Sequence, residues 1–181
     1  MAQSVVIETS HPTYAYRAAD FTPVASATDI LALVGANGKC IRITKIGFSG
    51  SAGTLAGLVD LYITKRTTLN TAATGFTNPT ATKYDSLDPN PSATLVLYTA
   101  NPTALGTGLG LEGDKVYVPL QGTPVAEPTH WMVDYTGIES KCPILRNANE
   151  SISINLAGNS YTALGTLSLY LYIEWTEEVG V

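Results

Sequence analysis

The chain has 181 residues, enough for one substantial β domain and short for two ordinary ones. Charged residues are only 14% of it, against roughly 25% in an average soluble protein. The formal charge of −5 opposes the counterion-release binding that nucleic acids demand, so the composition excludes an electrostatic nucleic-acid binder and favours a Ser-, Thr- and Asn-rich surface that meets other protein.

Met1 to Ser10 lacks the charged leader, apolar stretch and cleavage site of a signal peptide, and no run approaches the ~20 apolar residues that cross a bilayer. The expectation is a chain made and kept, or assembled, in a cytoplasm, with no membrane partner. Residues 1–27 mix Ser, Thr and Ala with Tyr14, Tyr16, Phe21, Pro12 and Pro23 and show no sustained period. They read as an extended N-terminal arm whose aromatic residues offer area to bury, either along its own domain or on a neighbour, with contact to a neighbour as the expectation. A single domain is expected over residues 28–181.

From Thr28 onward, short β-rich runs alternate with turn residues. Asp29 to Val34 is apolar and stops at Gly35-Ala36-Asn37-Gly38; six residues make a poor helix and an ordinary strand. Cys40 to Phe48 carries Ile41, Ile43, Ile46 and Phe48, whose alternation slips between Ile43 and Ile46, so a bulge is expected near Thr44. Leu58 to Lys65 alternates cleanly, with Val59, Leu61 and Ile63 on one face. Thr67 to Ala93 is rich in Thr, Asn and Pro and has no period, which predicts a long contact-making loop. Strands are predicted again at Thr94–Thr99, Lys115–Leu120, His130–Tyr135, Ser151–Leu156 and Leu167–Trp175. About eight antiparallel strands separated by turn signals suit an all-β fold, a jelly-roll-like β-sandwich.

The last strand is the clearest. Leu167, Leu169, Leu171, Ile173 and Trp175 fall on one side of a pleat, and Ser168, Tyr170, Tyr172 and Glu174 on the other. Exposed paired tyrosines suit a partner subunit, so Tyr170 and Tyr172, with Tyr14, Tyr16 and Phe21 of the arm, are the candidate interface residues.

Motifs with chemistry are weak. Gly108-Leu109-Gly110-Leu111-Glu112-Gly113 satisfies G-x-G-x-x-G as a string, but Asn101-Pro102 precedes it and a β-like run follows, whereas a dinucleotide site needs a strand before and a helix after. An inter-strand loop is expected instead. His11 and His130 have no metal-ligand spacing, and no G-x-S-x-G elbow presents a nucleophile. Asp85 to Asn90 places oxygens in a short loop but lacks the EF-hand pattern. Cys40 and Cys142 are too few for a disulfide framework and read as buried thiols. No catalytic, metal-binding or cofactor-binding residues are assigned, and no enzyme activity is expected.

Thr28-Asp29-Ile30, the run Lys39 to Ile46, Tyr98 to Pro102, Pro143 to Glu150 and the ending Tyr172 to Glu177 together resemble a family of small all-β proteins encoded among the structural genes of tailed bacteriophages. The resemblance covers about Thr28 to Glu177 and carries strand and turn patterns rather than functional residues. It implies a virion component. By analogy with jelly-roll decoration proteins, the expectation is a homotrimeric cement subunit bound to the major capsid protein or another virion protein on a phage head. The alternatives are a tail adaptor or fibre module, and a glycan-binding sandwich that stacks sugars on Trp131 or the tyrosines.

Overall fold

The computed structural model describes residues 11–71, 74–122, 130–137, 141–157 and 161–180. The described residues form twelve strands and one 3-10 turn: β1 Thr13–Phe21, β2 Asp29–Val34, β3 Lys39–Ala52, β4 Gly57–Arg66, β5 Phe76–Thr77, β6 Thr82–Lys83, β7 Thr94–Tyr98, β8 Gly108–Val118, β9 His130–Asp134, β10 Ile144–Leu145, β11 Ser151–Leu156 and β12 Leu167–Val179. They make two antiparallel sheets. One runs β10-β3-β12-β1-β6, with β9 also on β3; the other runs β5-β7-β2-β11-β4-β8. The protein is an all-β sandwich.

Strand pleating explains the core. Leu167, Leu169, Leu171, Ile173 and Trp175 of β12 are fully buried, as are Ile41, Ile43, Ile46 and Phe48 of β3. They meet Val59, Leu61 and Ile63 of β4 and Ile152 and Ile154 of β11 in one apolar cluster. The alternation of β12 and β4 read from sequence therefore holds. The slip in β3 is a bulge at Thr44: Glu174 opposes Lys45 and Trp175 opposes Ile43, so Thr44 is the extra residue.

Three expectations are corrected. The arm is not an arm over residues 13–21, which pair along β12 and with β6. Tyr14 is fully buried, its ring 5.7 Å from that of Trp175 and its hydroxyl donating to the Pro89 carbonyl at 2.9 Å. Ala18 and Phe21 are buried too, and Tyr16 packs on the same core. Once β1 pairs, its inward pleat takes Tyr14, Tyr16 and Ala18 toward Trp175, Ile173 and Leu171 of β12. Tyr14 and Phe21 are thus buried in the core of their own subunit, and Tyr16 is half-buried against it. Residues 1–10 lie outside the described residues.

The glycine-rich motif is not a loop. Gly108 to Gly113 forms the first half of β8 and pairs with β4, with a register shift between Ile63 and Thr64. Finally, the described residues hold twelve strands rather than about eight. All eight expected segments are strands; β1, β5, β6 and β10 were not anticipated. Two of these, β5 and β6, fall inside the supposed long loop and tie it to β7 and β1. Glu177, buried beneath that segment, accepts from the Ser92 and Ala93 amides and the Trp175 indole.

On the far sheet, Asp29 is buried and accepts two hydrogen bonds from the Arg66 guanidinium at 2.7 Å, and one each from Asn70 and Asn155. Every carboxylate lone pair is used, which is the condition under which a buried ion pair is tolerated.

Candidate functional site

The outward side of β12 is the floor of a groove of about 500 Å³. Its composition follows from register. Tyr170, Tyr172 and Glu174 stand opposite Ser49, Gly47 and Lys45 of β3, and these stand opposite His130, Met132 and Asp134 of β9. On the other flank Arg17 of β1 opposes Tyr172. Three rows thus cross the sheet, and the middle one has a gap because Gly47 carries no side chain between Tyr172 and Met132. A Cβ there would lie 3.4 Å from the Tyr172 Cβ and 3.8 Å from the Met132 Cε.

Tyr84, just beyond β6, closes one rim. Its amide donates to the Thr13 carbonyl, anchoring it to β1, and its side chain reaches across to β12. The hydroxyls of Tyr84 and Tyr172 both lie 2.7 Å from Oε2 of Glu174, and the Thr44 hydroxyl donates to Oε1 at 2.7 Å. Lys45 Nζ is 3.9 Å from Glu174 and 4.0 Å from Asp134. At the other end the Tyr170 hydroxyl donates to Asp20 at 3.1 Å. Asp20 has a left-handed backbone, φ 53°, at the bulge between Ala18 and Phe21 that turns its carboxylate outward.

Burial pushes the Glu174 carboxyl upward, but the Tyr172, Tyr84 and Thr44 hydroxyls and Lys45 outweigh it and hold the group below its ordinary value. The Tyr172 phenol is raised, first by burial and then by its bonds to Tyr84 and Glu174. Tyr170 is raised by the bond to Asp20. Both phenols therefore stay protonated donors, and Glu174 is a charged, saturated anchor. With its oxygens already engaged, it fixes two tyrosine rings in place rather than accepting a proton from a substrate.

Of the expected interface residues, Tyr170 and Tyr172 come together here, Tyr170 being 45% exposed and Tyr172 half-buried. Trp131 lies on the other side of β9 from the groove: it stands opposite Phe48 and is half-buried against the core. Sequence reasoning did not find Arg17, Lys45, Tyr84, Met132 or Asp134. Glu174 alone carried a signal, two residues beyond Tyr172 on the same face. Among the described residues no cluster of His, Cys, Asp and Glu is arranged to hold a metal ion. No helix among them is long and apolar enough to cross a membrane.

No protein-family model, curated protein or solved structure matches the chain.

Proposed function

We propose that the protein is a virion structural subunit, a jelly-roll cement or decoration protein that assembles as a homotrimer and reinforces a phage head. The observation that carries this reading is the strand winding. With the two-residue β5, β6 and β10 and the additional outer strand β7 set aside, one sheet reads β1-β12-β3-β9 and the other β2-β11-β4-β8. The chain lays its first four strands alternately in the two sheets, then returns through them in reverse order. This order is the one a jelly roll would have, an architecture of viral capsid domains and lectins, and it supports that reading. The resemblance of the run from Thr28 to Glu177 to phage structural proteins supports a place in the virion.

The mechanism is avidity. Each subunit adds a modest contact, and joining three copies makes the second and third contacts intramolecular. Subunit contact fits the outer face of the β4–β8 ladder better than the β12 groove. Interface centres favour aromatic side chains and shed net charge. Leu58, Tyr62 and Tyr117 are exposed there, around an Asp60–Lys115 ion pair that neutralises itself. The β12 face is concave and lined with charge.

Quantitative mass spectrometry of purified virions of the phage encoding this chain tests the proposal. A copy number on the scale of the capsid lattice is expected; the small multiple typical of a tail part would select the adaptor or fibre reading, and absence from the particle would overturn both. Native mass spectrometry should show a trimer that Leu58→Glu with Tyr117→Glu converts to monomer.

A further inference from the structure

We propose that the groove over β12 is a binding site for a neutral oligosaccharide. The inference does not depend on the virion assignment, since it rests on the chemistry of the groove alone.

The shape is that of a small-ligand site. About 500 Å³ lies within the range of such pockets, and its depth comes from Gly47, where any side chain would fill the space between Tyr172 and Met132. The rings are rigid before any ligand arrives. Tyr170 is tethered to Asp20 and Tyr84 to Glu174 through their hydroxyls, yet 45% of Tyr170 and 61% of Tyr84 remain exposed. Flat, exposed and pre-ordered aromatic faces suit the C–H face of a pyranose and keep the ordering cost of binding low.

The polar groups suit hydroxyls rather than ions. A sugar hydroxyl both donates and accepts, and the groove offers donors in Arg17, Lys45 and Ser49 and acceptors in Asp134 and the phenol oxygens. Its charges nearly balance: Arg17 and Lys45 face Asp134 and Glu174, with Asp20 at the rim. A cationic ligand would meet Lys45, in the row beside the Gly47 gap, and would have to displace Arg17, whose guanidinium lies 5.9 Å from the Tyr172 ring centroid. An anionic ligand would meet Asp134 and Asp20. A neutral, hydroxyl-rich ring avoids both conflicts.

Isothermal titration of the purified full chain with cellotriose, maltotriose, mannotriose, xylotriose and chitotriose, alongside a sialylated and a sulfated trisaccharide, tests the assignment. At least one neutral sugar should bind. Gly47→Leu, whose backbone is unstrained and whose side chain fills the groove, should weaken it at least about tenfold, as should Tyr170→Ala, with melting temperatures near the parent's. Tyr117→Ala, on the opposite sheet, should change nothing. The proposal is overturned if no neutral sugar binds at millimolar concentration, if binding survives Gly47→Leu, or if the charged sugars bind best. It is equally overturned if Gly47→Leu releases the protein from particles while no sugar binds, because the groove then belongs to a protein partner. A sugar-binding protein absent from virions would leave the groove assignment standing and remove only the cement reading.

Discussion

Replacing Tyr14 with Ala separates a strand that belongs to the subunit from an arm that serves a neighbour. Tyr14 is fully buried, tilted 33° against Trp175 at 5.7 Å, and bonded to the Pro89 carbonyl. Truncating a buried aromatic to Ala costs about 3–5 kcal/mol, out of a total of about 5–15 kcal/mol for a domain. With a urea dependence of about 2 kcal/mol per molar, the unfolding midpoint should fall by about 1.5–2.5 M. Tyr14→Phe keeps the ring and loses only the bond to Pro89, worth about 1 kcal/mol. Urea titrations followed by tryptophan fluorescence, which Trp175 makes sensitive to this contact, would measure both at one protein concentration. A Tyr14→Ala protein with an unchanged midpoint and lost self-association would refute the reasoning and restore the arm.

Other outcomes follow from the same geometry. Leu171→Ala removes a fully buried leucine and should cost about 2–5 kcal/mol, well above Tyr170→Ala on the opposite side of the pleat; equal losses in chemical denaturation would contradict the facing of β12. Glu174 has a folded-state value depressed below 4.5, so its stabilisation is present above that pH and is lost as pH falls through the lower, folded value. Melting temperatures should therefore fall less steeply below 4.5 in Glu174→Gln than in the parent, and parallel profiles would show that the hydroxyl cluster does not hold the charge. Arg66→Met leaves Asp29 buried with only Asn70 and Asn155 and should cost about 3–5 kcal/mol, while Asp29→Leu with Arg66→Met should recover much of it. A double variant as unstable as the single would show that the pair is worth more than well-packed apolar replacements.

What was legible in the sequence was the period of two wherever large apolar residues carried it. Ser151–Leu156 and Asp29–Val34 were bounded to the residue because both strands lie inside the second sheet and nearly every position is buried. β1 escaped notice for the opposite reason: its inward positions include the small Ala18, and the bulge at Asp20 breaks the pleat before Phe21. β8 offers no apolar face over Gly108 to Lys115, all exposed at the sheet edge, and its pairing is supplied by β4. Its Glu112 and Asp114, opposite the buried Ile63 and Leu61, put charge where another strand would otherwise add. The groove was half legible. Tyr170, Tyr172 and Glu174 share a strand face that any reader can mark, but Arg17, Tyr84 and Asp134 reach it only through pairings between segments far apart in the chain.

The bulge at Thr44 ties the core to the groove. Without it, continuous alternation from Ile41 and Ile43 would turn Lys45 inward and Ile46 and Phe48 outward. With it, Ile46 and Phe48 return to the core and two consecutive side chains, Thr44 and Lys45, reach the outer side together. Both engage Glu174, one by a hydroxyl at 2.7 Å and the other by its ammonium at 3.9 Å. The bulged residue also offers its carbonyl to the Tyr135 amide at 2.8 Å, just past the end of β9, the strand that carries His130, Met132 and Asp134. One inserted residue therefore restores the apolar seam on one side of β3, and on the other anchors the carboxylate that holds Tyr84 and Tyr172 and secures the strand forming the far wall. The irregularity that spoils the hydrophobic period between Ile43 and Ile46 is thus the step that builds the groove.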